Sequence, residues 1–408
     1  MALFTSTHFA CAAACGDDWR QISKTVLDQL ESIRTEDSGF NIGFLYITDA
    51  LSENTTSIIT LFKSVTGIEN WVGCAALGVC TVGQEFVDKP AISAMIGRME
   101  EGACKTFFAT HSDQNEIKKE VGPWLNKKNP MLILLHGNAS SDNHPQWSVE
   151  RISDMMGGFV TGGLASSRKT PVHYATRIVE EGFSGAAFSS DVQVATCLSQ
   201  GCRPIGPVHA VTRAEGQVIS ELDGKKPFEV FSEDLKGMVE KKVGKDPEKI
   251  ILEGAVDEIA PEFAHLFKGE IHVALPVTGS DRNDYMVRNI LGMDPDEGHL
   301  AVAQSMTTGD TLMFVHRDDE SVRADLSQTL VALRTRVQQE RGEFAPKGAL
   351  YVSCVARAFT EFSHGHPGGE MALVREIIGD IPLTGFYAAG EIAGGRLYGY
   401  TGVLILFL

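Results

Sequence analysis

The residues best equipped for chemistry lie in one segment, Cys354 to Glu370, which reads CVARAFTEFSHGHPGGE. It holds a thiol at Cys354, a guanidinium at Arg357, imidazoles at His364 and His366, and a carboxylate at Glu370. These groups suit three kinds of site: a thiol nucleophile, a histidine-based metal or haem site, or a clamp for a small charged ligand. The choice among them depends on the elements that position the segment.

A thiol-dependent enzyme would use Cys354 as nucleophile, His364 or His366 as base and Glu370 to orient that base. Two features of the sequence argue against this interpretation. Cys354 follows a strand pattern without a strand–turn–helix elbow. Its counterpart in the internal repeat described below is Asp49, so the duplication does not preserve a nucleophile. We therefore favour a packed thiol and predict no catalytic residue.

The pair His364 and His366 places two imidazoles on one side of an extended chain. Zinc and copper bind such pairs, and Glu370 or Cys354 is the nearest third ligand in sequence. A solvated loop is the simpler interpretation of H-x-H here, so we predict no metal site.

A small anionic or zwitterionic ligand fits the residue types best. Arg357 can clamp a carboxylate through two hydrogen bonds, and Glu370 and Glu391 can hold an ammonium group. An internal ion pair between Arg357 and Glu391 is the structural alternative. The glycine-rich stretch Gly385–Gly395 is predicted to be a loop, and a loop of this kind lets the backbone approach a ligand closely. The predicted ligand-binding residues are Arg357, Glu370, Gly385, Gly390, Glu391, Arg203 and Arg288.

The charge balance excludes two classes of partner. The 408 residues include 36 basic and 53 acidic side chains, a net charge of −17, and this field repels nucleic acid and anionic membranes. No apolar run reaches the ~18 residues of a membrane helix. The N-terminal stretch lacks the basic and long apolar regions of a signal peptide. The eight cysteines contain no C-x-x-C pair, so we expect a cytoplasmic protein.

Alternating strand and helix patterns predict an α/β or α+β protein with mixed sheets. Strand patterns include MLILLHG, TLMFVHR and GALYVSCVA, and helix patterns include SEDLKGMVEKKVG and RADLSQTLVALRTRVQQERG. The most polar stretch near the middle is ELDGKKPFEVFSEDLKG. It predicts two joined domains, residues 1–232 and 233–408.

The first and last parts of the chain contain an internal repeat. GFLYITDA from Gly43 matches GALYVSCV from Gly348, and the stretch Val72–Gly83 matches Thr384–Gly395 with glycines at the same spacing. The second copy is longer, and SHGHPGG, Ser363–Gly369, is the piece most like an inserted loop. Duplication predicts a strand–helix–strand–loop–strand unit in each copy.

The repeat also predicts which positions correspond. The strands that begin at Gly43 and Gly348 should be equivalent, as should two loops that contain Gly78 and Gly390. Val79 follows the middle glycine in the first copy, whereas Glu391 follows it in the second. A glutamate at a position that is apolar in the first copy indicates a functional site at Glu391. A buried glutamate that is only hydrogen-bonded within the fold is the structural alternative.

Several motifs in order resemble the FIST family. GCRPIGP, Gly201–Pro207, and ELDG, Glu221–Gly224, resemble the end of its N-terminal domain. VRN, Val287–Asn289, resembles the start of its C-terminal domain. SCVAR around Cys354 and PLTGFYAAGEI around Gly385 resemble the end of that domain. The resemblance covers nearly the whole chain and implies that 1–232 and 233–408 are the N- and C-terminal FIST domains.

The resemblance implies a bacterial sensor of small, amino-acid-like ligands in signal transduction. Such a chain has no kinase region of its own, so it would act on a partner protein such as a histidine kinase or a cyclic-dinucleotide enzyme. One branch of the family consists of nitric-oxide-sensing haemoproteins. The resemblance therefore implies an alternative function, a nitric-oxide sensor that binds haem b non-covalently. The histidines considered as haem ligands are His364, His366, His316, His209 and His136.

Overall fold

The computed structural model describes residues 4–5, 8–32, 39–109, 114–138, 145–169, 171–243, 271–277, 284–359 and 369–408. The chain divides into two compact units. The first unit comprises Met1–Gln200 and Arg323–Leu408, and the second unit comprises Gly201–Val322. Within the described ranges, no helix is both long enough and apolar enough to cross a membrane.

The secondary structure alternates as the sequence predicts. The strands are β1 (Phe4–Thr5), β2 (Phe9–Cys15), β3 (Ile42–Thr48), β4 (Asn70–Ala76), β5 (Gly78–Thr81), β6 (Gln84–Val87), β7 (Ala91–Gly97), β8 (Cys104–Ala109), β9 (Pro130–Gly137), β10 (Phe159–Ala165), β11 (His173–Ala175), β12 (Arg177–Val179), β13 (Phe183–Ser189), β14 (Val194–Ser199), β15 (Arg203–Pro204), β16 (His209–Glu215), β17 (Val218–Leu222), β18 (Ile271–Pro276), β19 (Tyr285–Arg288), β20 (Ile290–Met293), β21 (Leu300–Val302), β22 (Thr311–His316), β23 (Gly348–Cys354), β24 (Leu383–Ala393), β25 (Arg396–Tyr398) and β26 (Gly402–Phe407). The helices are α1 (Trp19–Glu31), a 3₁₀ helix (Asp49–Asn54), α2 (Thr55–Thr66), α3 (Gln114–Leu125), α4 (Pro145–Met156), α5 (Pro227–Val243), α6 (Asp319–Arg341), α7 (Val355–Ala358) and α8 (Glu370–Ile378).

Two mixed sheets form the centre of the first unit. The first sheet has the order β1-β2-β7-β3-β4-β11-β12, and the main path of the second is β14-β26-β23-β24-β10-β9-β13-β8. β3 and β4 are parallel, as are β23 and β24, while β7 and β26 run antiparallel to β3 and β23. The second sheet therefore combines strands from both ends of the chain. These mixed sheets confirm the predicted fold class.

The two sheets face each other, and helices cover their outer faces. Phe44 and Tyr46 of β3 reach the second sheet, where their rings lie 5.9 Å from Phe407 and 4.9 Å from Phe386. The alternate residues of β3 point the other way, and Leu45 packs in a core cluster with helices α1 and α2. A second cluster packs α3 and α4 on β9, β10 and β13. Alternation along each strand thus gives every central strand one sheet-facing and one helix-facing side.

The internal repeat is present, but its register differs by one residue from the sequence match. A Cβ at Gly73 would lie 1.8 Å from the Leu45 carbonyl oxygen, and one at Gly385 would lie 1.9 Å from the Tyr351 carbonyl oxygen. These glycines are equivalent, so Tyr351 corresponds to Leu45, whereas the G-x-L-Y match aligned it with Tyr46. A shift of one residue reverses the face to which a side chain points. Tyr351 accordingly points to helix α8 and Tyr46 to the opposite sheet.

The glycine-rich stretch of the second copy is a strand, which corrects the predicted loop. Gly385 and Gly390 both lie within β24, and the chain turns only at Gly394 and Gly395 before β25. Gly78 lies in β5, which leaves the first sheet and pairs with β24. The predicted equivalence of Gly78 and Gly390 is therefore wrong, because the chain after β4 joins the second sheet while β24 continues beside β10.

The second unit is an α+β layer of its own, and its sheet is antiparallel. Its sheet has the order β19-β18-β22-β16-β17-β21-β20, with β15 beside β22. Helix α5 packs on this sheet through Val230 and Phe231. Residue 232 lies inside α5, so the compact units of the fold divide elsewhere. As a boundary between two family domains, 1–232 and 233–408 stay a prediction.

Candidate functional site

A fully buried ion pair lies at the carboxyl end of β23. Arg357, in the short helix α7 that follows this strand, places Nη2 2.5 Å from Oε1 of Glu370, and neither side chain is exposed. Tyr351 donates its hydroxyl to Oε1 of Glu370 at 2.7 Å, and Ser353 donates to Oε2 at 2.9 Å. Tyr351 and Ser353 reach the same carboxylate because residues i and i+2 of a strand share a face.

The guanidinium of Arg357 has further acceptors from a distant part of the sequence. Nη1 lies 3.3 Å from the carbonyl oxygen and 3.4 Å from the hydroxyl of Ser199. That hydroxyl in turn donates to Asp325 at 2.7 Å. Burial opposes the positive charge, but the Glu370 carboxylate outweighs it together with neighbouring groups and raises the pKa of Arg357 above its ordinary value. The guanidinium therefore stays charged inside the fold.

Glu391 forms a separate group of hydrogen bonds beside this pair. Its Oε2 accepts hydrogen bonds from the backbone N–H of Thr401 at 3.0 Å and from the Thr401 hydroxyl at 2.9 Å, and the Cys354 thiol also donates to it. Burial raises the pKa of Glu391 to about 8, although these hydrogen bonds lower it. At neutral pH the Glu391 side chain is mainly an uncharged acid. The ion-pair partner of Arg357 is Glu370.

Glu85 brings a third carboxyl group to the site from the first part of the chain. It lies in β6, and its Oε1 accepts a hydrogen bond from the backbone N–H of Met371 in the first turn of α8 at 2.8 Å. Burial and the nearby Glu370 carboxylate raise the pKa of Glu85 to about 7. We call the fully buried Arg357, Glu370 and Glu391, together with the half-buried Glu85, the buried charge cluster.

The first repeat carries a charged pair at the matching end of its central strand. Asp49 begins the 3₁₀ helix after β3 and is buried, and Arg168 donates to both its carboxylate oxygens at 2.9 Å. Burial raises the pKa of Asp49, but the hydrogen bonds from Arg168 outweigh this and lower it. The Arg168 side chain is 54% exposed. The second copy has buried both charges of its pair, whereas the first keeps its guanidinium at the surface.

Sequence reasoning found only part of the buried charge cluster. It named Arg357, Glu370 and Glu391 but missed Glu85 and Ser199. Glu85 comes from a short strand without a charged motif, and Ser199 precedes Arg357 by 158 positions. The i and i+2 spacing of Tyr351 and Ser353 was the available signal for the Glu370 partners.

The two other predicted arginines belong to the second unit. Arg288 donates from Nε to Oε1 of Gln304 at 2.8 Å and from Nη1 to the carbonyl oxygen of Val287 at 2.9 Å. Arg203 is exposed in β15. Gly385 and Gly390 lie in β24 of the first unit, where Gly385 touches the β23 backbone. Their roles in ligand binding stay predictions.

Two of the predicted haem ligands have ring nitrogens that form hydrogen bonds within the fold. His209 uses both ring nitrogens: Nδ1 lies 2.7 Å from Asp223 and Nε2 lies 2.9 Å from Asp234. His136 is packed between the sheets, with Nε2 3.1 Å from the Tyr46 hydroxyl, and burial lowers its pKa to about 3.

The structure describes one of the remaining three haem candidates. His316 is buried at the end of β22, with Nδ1 3.4 Å from Asp318. His364 and His366 lie outside the described residues, as does most of the predicted insertion that contains them. Haem binding through His316, His364 or His366 stays a prediction.

Comparison with known proteins finds matches that cover most of the chain. The FIST N domain matches residues 3–225, and the FIST C domain matches residues 249–394. The chain is 30% identical over 352 residues to the uncharacterized protein Rv0628c of Mycobacterium tuberculosis (strain ATCC 25618 / H37Rv), with 83% of both chains covered.

A second relative has a similar extent. The chain is 30% identical over 366 residues to the uncharacterized protein Mb0898c of Mycobacterium bovis (strain ATCC BAA-935 / AF2122/97), with 83% of this chain and 82% of the relative covered. Both domain matches occur in the order that the sequence motifs predicted, and together they span most of the sequence. The chain therefore belongs to the FIST family, whose domains are sensory domains of signal transduction.

Proposed function

We propose that this protein senses a small zwitterionic ligand, of the amino acid class, at the buried charge cluster. One observation carries the proposal: Arg357, Glu370 and Glu391 are all fully buried within one unit. Buried ionisable residues with shifted pKa values cluster at functional sites, and the pKa values of Glu391 and Glu85 are raised. The cluster also lies at the carboxyl ends of the parallel strands β23 and β24, where α/β sheets commonly bind ligands.

The ligand carboxylate would compete with Glu370 for the guanidinium of Arg357. A planar guanidinium binds either carboxylate through two parallel hydrogen bonds, so the exchange keeps the buried charge paired. The ligand ammonium would lie near Glu391 and Glu85, whose raised pKa values leave them partly or mainly protonated at neutral pH. An ammonium group favours the ionised carboxylate, so its binding would release a proton.

Displacement of Glu370 offers a route from ligand to output. Glu370 is the first residue of α8, and the next backbone N–H is held by Glu85. A ligand that takes the place of Glu370 changes how the first turn of this helix is held. A partner such as a histidine kinase or a cyclic-dinucleotide enzyme would then read the position of the helix. Only a ligand with different affinities for the two arrangements can shift them.

Calorimetric titration with a panel of L-amino acids tests this proposal. At pH 7 we expect at least one amino acid to bind the full chain with release of a proton. Proton release is measured from the binding enthalpies in phosphate and Tris buffers, whose ionisation heats differ. Glu391→Gln should reduce the release, and Arg357→Lys should weaken the affinity about tenfold, since it loses the two-bonded geometry.

The matched control is Glu343→Gln, which changes an exposed glutamate outside the buried charge cluster. It should keep both the affinity and the proton release of the wild type. The proposal fails if no amino acid binds the folded wild type. It also fails if folded Arg357→Lys and Glu391→Gln variants bind with wild-type affinity and proton release.

A further inference from the structure

A groove on the outer side of the first sheet has the character of a second ligand site. It has a volume of about 340 Å³ and runs between helix α2 and the strands β11 and β12. Its residues are Thr56, Ile59, Thr60, Lys63, Trp71, Tyr174, Thr176, Arg177 and Ile178. The volume falls near the lower end of the range of small-molecule sites, about 300–1,000 Å³.

The floor of the groove is aromatic and contains a hydrogen-bond donor. Trp71 and Tyr174 are each 1% exposed. Among the described residues, none accepts a hydrogen bond from Nε1 of Trp71, although this nitrogen is buried. Buried indole N–H groups usually have a partner, and an unsatisfied one is costly. A ligand acceptor in the groove would satisfy it.

The Trp71 ring is held in place by its neighbours. A Cβ at Gly43 would lie 2.3 Å from Cε3 and 2.4 Å from Cζ3 of the indole, so the six-membered ring covers Gly43 of β3. Nε1 is on the opposite edge of the indole. The Phe62 ring meets the indole edge-on, with centroids 5.3 Å apart and an interplanar angle of 87°, which fixes the ring further.

Two cations stand at the sides of the groove. Nζ of Lys63 donates to the Thr176 carbonyl oxygen at 3.3 Å and lies 3.7 Å from Glu69. Arg177 stacks on Phe108, with its guanidinium carbon 3.4 Å from the ring centroid. An ammonium group has three donors, so Lys63 can keep its backbone contact and still bind a ligand anion.

The backbone at the rim is strained. Thr176 has φ of +62°, in the left-handed region, which is a clear outlier for a β-branched residue. Strained backbone of this kind clusters at ligand clamps and switch regions. Thr176 lies between β11 and β12, and its carbonyl oxygen accepts the hydrogen bond from Lys63.

We infer that this groove binds a small carboxylic acid with an apolar or aromatic body. The apolar body lies on Trp71, Tyr174 and Ile59, and the carboxylate takes its hydrogen bonds from the Trp71 indole and the Lys63 ammonium. The site uses none of the buried charge cluster, so it stands or falls independently of the proposed function.

Indole N–H resonances of the full chain test the inference directly. The protein has four tryptophans, so selective ¹⁵N labelling gives a simple spectrum, and Trp71→Phe assigns the resonance of interest. Phenylacetate and hexanoate are the probes, and neutral phenylacetamide is the matched control ligand. We expect at least one of the acids to shift the Trp71 resonance saturably, with a Kd in the millimolar range that suits ligands of about ten atoms.

Two variants identify the anion contact. Lys63→Gln should weaken binding of the acid by about tenfold, the loss expected for a hydrogen bond to a charged group. Lys119→Gln, on the exposed face of α3, should leave it unchanged. The inference is overturned if neither acid shifts the Trp71 resonance at an acid concentration of about 10 mM, which is about ten times a Kd of about 1 mM. It is also overturned if phenylacetamide shifts the resonance as strongly as the acids do. Binding of the acid to Lys63→Gln with wild-type affinity would overturn it as well.

Discussion

Arg357 and Glu370 form an ion pair of 2.5 Å in which neither side chain is exposed. The pair joins the short helix after β23 to the first residue of α8. Because a buried charge is costly without its partner, each residue depends on the other. Under the proposed function, a ligand carboxylate would therefore replace Glu370 at the guanidinium and would not add to the pair.

Loss of one member of this pair should be strongly destabilising. We expect Arg357→Ala to lower the free energy of unfolding by about 3–5 kcal/mol, because Glu370 is left as an uncompensated buried charge. Arg341→Ala, at the exposed end of α6, should stay within about 0.5 kcal/mol of the wild type. Urea unfolding followed by circular dichroism measures both.

A double variant tests whether the stability contributions of Arg357 and Glu370 depend on each other. Arg357→Met with Glu370→Leu should be more stable than the sum of the two single changes predicts, because no unmatched charge remains. Strict additivity of the two free-energy changes would show that the residues do not depend on each other.

Glu391 should make the fold less stable as the pH rises. Its pKa is about 8 in the folded protein against an ordinary 4.5, so between these values the folded state holds a proton that the unfolded state has lost. The unfolding free energy then falls with pH across this window, by about 1.4 kcal/mol for each unit of pKa difference. Glu391→Gln should remove this component. Identical pH profiles for variant and wild type between pH 5 and 8.5 would contradict the raised pKa.

His209 should titrate above its ordinary pKa of 6.5. Burial lowers the pKa, but the flanking carboxylates of Asp223 and Asp234 outweigh it and raise the value. The stability from this contact is fully present below pH 6.5 and is lost as the pH rises through the folded pKa. Proton NMR of the imidazole measures it, with His209→Gln for assignment. Asp234→Asn should move the pKa back toward 6.5, and a wild-type pKa below 6.5 would refute the arrangement.

Two glycine-to-alanine changes should have opposite effects. Gly385→Ala places a Cβ 1.9 Å from the Tyr351 carbonyl oxygen, so β23 and β24 must separate locally, and we expect a loss of more than about 2 kcal/mol. Gly237→Ala lies in the interior of α5, where no atom of the described residues outside the neighbouring residues and the helix's own backbone comes within 4 Å of the new Cβ. It should stabilise the helix by up to about 1 kcal/mol. Thermal unfolding compares both. A Gly385→Ala variant as stable as the wild type would contradict the close strand contact.

The sequence by itself determined the local elements and the family. Helix α1 follows from apolar spacing at Ile22, Val26 and Leu30 and from the cap at Asp18, whose side chain accepts the Arg20 N–H. The repeat and its glycine spacings also follow from the sequence, as does the inclusion of Arg357 among three candidate arginines. These features depend on neighbours within a few residues, or on the pattern of the chain itself, so they can be read without coordinates.

Only the tertiary structure decided which distant groups meet. Glu370 is the partner of Arg357, Glu85 caps the same helix from another strand, and Trp71 forms the floor of a groove with Tyr174. The one-residue difference between the repeats has the same origin, because strand register is set by contacts across sheets and reverses every side chain when it shifts. Pairing of this kind depends on loop closure and packing over hundreds of residues, which local periodicity does not encode.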